Sequence, residues 1–184
     1  MKKISANKTN ASFVFIALTA AIISILSQIA LPSLTGVPMT LQSFVFALVG
    51  YILLPKLSFY TVLLYLLLGA VGIPVFANLR GGLVHLLGVT GGFLWGSLLF
   101  VPLAGFGAKC KRAWQAVSFG LLGLGIFHVA GILQYAWLTK NTLYTSFLLV
   151  SMPYLLKDMF SAIGAYYAGK FVRGQLFKSG INLT

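Results

Sequence analysis

The sequence predicts an all-α integral membrane protein, one domain over residues 1–184 with six transmembrane helices and both termini cytoplasmic. Three observations carry that expectation. Hydrophobic residues make up 59% of the chain and charged ones 8%, with a mean hydropathy of +0.98, a balance far from that of soluble domains. Six apolar segments, at 11–31, 40–54, 58–76, 90–108, 113–138 and 152–172, reach or approach the ~20 residues that a helix needs to cross a hydrocarbon core of ~30 Å. The cations also fall on alternate sides. With the amino terminus inside, Lys2, Lys3, Lys8, Lys56, Lys109, Lys111, Arg112, Lys170, Arg173 and Lys178 are cytoplasmic, Arg80 and Lys140 are external, and Lys157 lies in the membrane. Ten against two is the bias of cytoplasmic loops, so a net charge of +12 points to a multi-pass protein of the cell membrane, with the lipid bilayer as its surroundings and no nucleic acid as partner.

In the first segment, Lys2, Lys3 and Lys8 precede an apolar run too long for the core of a secretory signal and followed by further spans, so it is read as a retained helix. It carries Ala17-Leu18-Thr19-Ala20-Ala21, a small-xxx-small pair at Ala17 and Ala21 with Ala20 and Ser24 continuing the strip. Such strips allow close helix contact, with a partner or within the bundle. The second segment is short, stopped by Pro55 and preceded by Pro38, and Thr35-Gly36-Val37-Pro38-Met39-Thr40 extends its start. Between the third and fourth, Ala77–Thr90 holds Asn78, Arg80, six aliphatic residues and Gly81, Gly82 and Gly88. Glycines let the backbone bend and the leucines need something to cover, so this stretch is expected to form a lid on the outer side. Asn78 and Arg80 then hang near the cavity beneath. A basic turn, Lys109-Cys110-Lys111-Arg112, joins the fourth and fifth segments. Its single cysteine excludes an internal disulfide.

The last segment holds Asp158, the only acidic side chain, directly after Lys157. At about 100° per residue, Lys157, Asp158, Ser161, Ala162, Gly164, Ala165, Ala168 and Gly169 share one arc, while Leu155, Leu156, Met159, Phe160, Ile163, Tyr166 and Tyr167 share the other. Small residues mark helix contacts, so the charged pair is expected to face the bundle interior, where an ionisable group is a candidate functional site. The alternative is an ion pair that only fixes packing. Gln42 and Gln134, near the outer ends of the second and fifth segments, are level with that pair; Gln28 is harder to place. His85 and His128 stand too far from other ligand residues for a metal site, with His128 expected to hydrogen-bond within the bundle. Nothing in the sequence calls for a cofactor. It has no phosphate-binding loop, paired carboxylates or nucleophile–base arrangement, which disfavours an enzyme or a self-sufficient ATPase.

The phrases Gly36-Val37-Pro38-Met39-Thr40-Leu41-Gln42, Tyr65-Leu66-Leu67-Leu68-Gly69-Ala70-Val71-Gly72-Ile73-Pro74-Val75-Phe76-Ala77, Gly88-Val89-Thr90-Gly91-Gly92-Phe93 and Pro153-Tyr154-Leu155-Leu156-Lys157-Asp158 resemble, in family order, the BioY family, the biotin-specific substrate-binding subunits of energy-coupling-factor transporters. The family often has Pro-Gly before the aspartate, where this chain has Leu156-Lys157. The resemblance implies a six-helix protein that captures biotin from outside and works with a transmembrane coupling subunit and two cytoplasmic ATPases. It also implies that Ala17 and Ala21 pack against the coupling subunit. Biotin suits the candidate residues: Asp158 accepts the ureido N–H bonds, Asn78 or Gln42 donates to the ureido carbonyl, and Arg80 or Lys157 meets the carboxylate. Gly82 and Gln134 complete the candidate set. A rival within the same class binds another vitamin such as thiamin or riboflavin; a non-transport membrane protein is the reading outside it.

Overall fold

A computed structural model describes residues 2–31 and 39–180, and Thr35–Pro38, with the start of the first resemblance phrase, lies outside them. In order the elements are α1 (Lys2–Leu26), the two-residue strands β1 (Ala30–Leu31) and β2 (Met39–Thr40), α2 (Gln42–Ala70), a 3-10 turn (Ala77–Leu79), α3 (Leu83–Leu87), α4 (Gly91–Gly107), α5 (Ala113–Thr139), α6 (Leu143–Val150) and α7 (Met152–Lys178). The antiparallel pair of β1 and β2 sets Ala30 opposite Thr40, a small departure from the expected all-α pattern. α4 packs against α2 and α5, α7 against the same two, and α1 chiefly against α2.

α2 and α5 are each long and apolar enough to cross a membrane, and α6 and α7 qualify as a pair bent by 56°. α2, however, is not one straight rod. Leu54 has φ 67 and ψ 165, immediately before Pro55. Gln42 Nε2 donates to Tyr65 Oη at 2.7 Å across 23 residues, which an unbroken helix would hold about 34 Å apart. The halves 42–53 and 55–70 therefore fold back on each other, and they match the segments expected at 40–54 and 58–76. The expected loop between them is replaced by a single residue. Proline removes an N–H and forces its predecessor out of the helical region, so the reversal happens there, and Ser58 Oγ closes it by donating to Pro55 O at 3.0 Å. A Cβ on Gly105 of α4 would meet Pro55 N at 2.7 Å and Leu54 C at 2.8 Å, so glycine is what lets α4 touch the reversal.

The second half of α2 ends at Ala70 rather than at 76. Gly72, at φ 104, donates its N–H to Gly69 O, and Ile73 N donates to Leu68 O, both at 3.1 Å; Pro74 follows. This is a Schellman stop. α6 was not expected; Thr142 starts it by accepting a hydrogen bond from Thr145 N at 3.1 Å. α7 runs to Lys178, beyond the expected 172, and buries Tyr154, Asp158, Ala162, Ala165, Tyr166 and Gly169. Two residues correct the expected arcs. Gly164 is exposed, with nothing within 4 Å of where a Cβ would stand, since it lies about 120° from Asp158. Tyr166, about 80° from it, is buried against the Tyr51 ring at 5.4 Å.

Candidate functional site

At the end of the bundle where the two halves of α2 begin and end, a cavity of ≈ 760 Å³, open mouth included, is walled by Ser43, Phe93, Phe127, His128, Tyr154 and Asp158, with Arg80 and His85 on the lid side. Phe127 forms its floor. It packs against Phe46, Phe93 and Phe100 at ring separations of 6.2, 5.1 and 5.6 Å, so the floor is a packed aromatic cluster.

Asp158 is 4% exposed. Its Oδ1 accepts from Ser43 Oγ and lies 2.6 Å from Lys157 Nζ. Lys157 Nζ also donates to Thr40 O at 2.6 Å and lies 3.3 Å from Ser43 Oγ. Across the cavity wall His128 places Nδ1 2.5 Å from Ser151 Oγ and Nε2 3.2 Å from Asp158 Oδ2. That last approach is poorly aligned, and His128 Nε2 makes no hydrogen bond among the described residues. A carboxylate offers about four acceptor positions. Oδ1 is occupied twice, whereas Oδ2 has only the approach of His128 Nε2 and keeps acceptor capacity. The site can thus hold a neutral, N–H-bearing group on one edge of a carboxylate whose charge is already balanced by Lys157.

The lid covers this arrangement, with a tight hairpin at its start. Phe76 and Arg80 exchange backbone hydrogen bonds of 2.9 and 3.2 Å around Asn78 and Leu79, at φ 60 and 55. Gln28 holds the hairpin: its Oε1 accepts from Leu79 N at 2.8 Å, and its Nε2 donates to Val75 O at 3.2 Å. Gly82, at φ 96, donates to Gly69 O at 2.6 Å and opens α3. Gln134 Nε2 then donates to Leu86 O and Gly88 O at 3.0 and 2.7 Å, and Trp95 Nε1 to Leu86 O at 3.0 Å. Of the lid's aliphatic residues only Leu86 is buried; Leu79, Leu83, Val84, Leu87 and Val89 are exposed. The expectation that its leucines cover the bundle mouth holds for that one residue, because a five-residue helix turns one face inward.

Of the predicted residues, Asp158, Lys157, Gln42 and Arg80 line the cavity. Gln134 and Gly82 instead fix the lid. Asn78 is exposed and is not among the residues that line the cavity. Ser43, His128 and Tyr154 were not expected there; Tyr154 belongs to a quoted phrase, but nothing in sequence ties Ser43 or His128 to Asp158. On α1, Ala17 and Ala21 face outward, whereas Ala20 is buried and Ser24 half-buried with its Oγ bonded to Ala20 O, so the strip is divided between two faces.

A helical bundle with long apolar spans, a packed aromatic floor and a lidded polar cavity at one end defines a membrane protein that holds a small ligand. The chain belongs to the BioY family, whose sequence model matches residues 1–177, and is a transport protein, not an enzyme. It is 36% identical over 160 residues to the probable biotin transporter BioY of Pyrococcus horikoshii, covering 86% of this chain and 94% of that one. It is 35% identical over 154 residues to the biotin transporter BioY2 of Lactococcus lactis, covering 83% and 84%. Its fold is similar to a crystal structure of the S-component for biotin from an ECF-type ABC transporter, with a TM-score of 0.84 and 24% identity over 91% of this chain and 93% of that one.

Proposed function

We propose that the chain is the biotin-binding subunit of an energy-coupling-factor transporter, which captures biotin at the extracellular side and delivers it with a coupling subunit and two cytoplasmic ATPases. The names of the relatives support the ligand. The observation that carries the reading is the half-occupied carboxylate: Asp158 Oδ2 keeps acceptor capacity in a cavity with an aromatic floor, as a ureido N–H above an apolar ring system requires. Gln42, which gives one amide N–H to Tyr65, has its second for the ureido carbonyl. Lys157 is committed to Thr40 O and Asp158, so Arg80 at the cavity mouth receives the ligand carboxylate. Six spans with cytoplasmic termini put the cavity outside, and the outward pair Ala17 and Ala21 contacts the coupling subunit.

The test is calorimetric titration of the purified full-length chain with biotin, thiamin and riboflavin in turn. Saturable one-to-one binding of biotin alone is expected. Binding of thiamin or riboflavin without biotin would refute the ligand, and absence of any saturable vitamin binding would refute the class.

A further inference from the structure

At the opposite end of the bundle, beside the turn between α4 and α5, lies a second cavity of ≈ 800 Å³, open mouth included, lined by Lys111, Lys170, Arg173, Tyr51, Tyr166 and Phe177. We propose that this cavity binds the anionic phosphate headgroup of a membrane phospholipid.

The charge balance of the chain argues for an external anion. Thirteen Lys and Arg stand against one acid, and that acid is Asp158, buried at the far end and paired with Lys157. No side-chain carboxylate is left to neutralise three cations that converge on one cavity, and like charges in a partly enclosed space repel more strongly than in water. One of the three is also held in place. Arg173 Nη1 donates to Ala108 O at 2.8 Å, using one of its five N–H donors and keeping four. Lys170 precedes it by three residues on the same face of α7, while Lys111 enters from the turn. Tyr51 and Tyr166, edge to face at 5.4 Å, form the base.

The source of the phosphate follows from the apolar rim. Phe177 lines the cavity and is 73% exposed; Trp114, three residues after Lys111 and outside the lining, is 63% exposed. A free phosphate has no use for either ring, whereas a lipid sets its headgroup on the cations and its glycerol and acyl carbons against them. Exposed tryptophan marks the membrane interface, and basic pockets between helices are recurrent headgroup sites.

The experiment uses the full chain in nanodiscs of phosphatidylcholine, titrated with phosphatidylglycerol and followed by native mass spectrometry and thermal unfolding. Phosphatidylglycerol is expected to bind at least tenfold more tightly than phosphatidylcholine and to raise Tm. The double variant Lys111→Gln/Lys170→Gln, which keeps the Arg173 bond to Ala108, should bind it roughly thirtyfold more weakly, with biotin affinity unchanged. The control Lys56→Gln/Lys178→Gln removes the same charge elsewhere and should change lipid affinity less than threefold. Equal losses in both variants, equal binding of the two lipids, or equal protection by inorganic phosphate at the same concentration would each overturn the proposal. So would unchanged lipid affinity in the first variant together with lost uptake, which would assign the cavity to an acidic partner segment.

Discussion

Replacing Asp158 with asparagine should weaken biotin binding at least tenfold. The amide keeps one oxygen, and the position with the strongest call on it is Oδ1, where Ser43 and the Lys157 ammonium at 2.6 Å both donate. Its NH2 then stands in place of Oδ2, so an acceptor becomes a donor opposite a ligand N–H. A hydrogen bond to a charged group is worth about 1.5–3 kcal/mol, which is roughly 10–150-fold in Kd, and the unpaired ligand donor adds to the loss. The variant also leaves Lys157 without its counter-ion. Breaking a buried pair costs about 3–5 kcal/mol, but the Lys157 side chain is 29% exposed and solvent screens part of that, so about 1–2 kcal/mol of stability should be lost. Isothermal titration measures the first effect and thermal unfolding in detergent the second. Adding Lys157→Met to the same chain should recover stability without recovering affinity. An Asp158→Asn protein that binds biotin within twofold of the parent would refute the assignment of Asp158 to the ligand.

Arg80→Met should weaken biotin more than biotin amide, whereas Lys157→Met should affect the two ligands alike; the opposite pattern in paired titrations would move the carboxylate to Lys157. Gly105→Ala should destabilise the fold by about 1–3 kcal/mol, because its Cβ would press on the Leu54–Pro55 backbone, while Gly164→Ala, with open space around it, should be neutral or stabilising by up to ~1 kcal/mol in the same thermal assay. Gln134→Ala removes two hydrogen bonds from the lid, each worth about 1 kcal/mol, and should speed biotin dissociation in a chase experiment and lower Tm by roughly 4–8 °C. Replacing outward-facing Ala17 or Ala21 with leucine should lower uptake by cells carrying the coupling subunit and ATPases while leaving binding intact; parallel loss of binding would place the strip in internal packing.

Periodicity and punctuation made part of this structure readable. Segments 90–108 and 113–138 lie within a residue of α4 and α5 because a basic turn separates two uniformly apolar runs. Pro55 revealed the break in α2 but not its form, since nothing local says that Leu54 takes φ 67. α6 went unseen because eight apolar residues next to a longer run carry little period of their own. In the site, Asp158 and Lys157 were visible as charges in an apolar run. Ser43 lies 115 residues from Asp158 and belongs to another helix, so only the fold brings them together. Asn78 shows the converse: its neighbours Ala77 and Arg80 line the cavity, while Asn78 is exposed and outside the lining.

The reversal at Leu54 has a consequence for how the protein sits in lipid. The halves of α2, 12 and 16 residues long by their bounds, extend about 18 and 24 Å, and α4 with 17 residues about 25 Å, all short of a ~30 Å hydrocarbon core. Neither half of α2 is long enough to insert stably by itself, so the two must partition as a helical hairpin, with the backbone irregularity at Leu54 sheltered against α4 rather than presented to acyl chains.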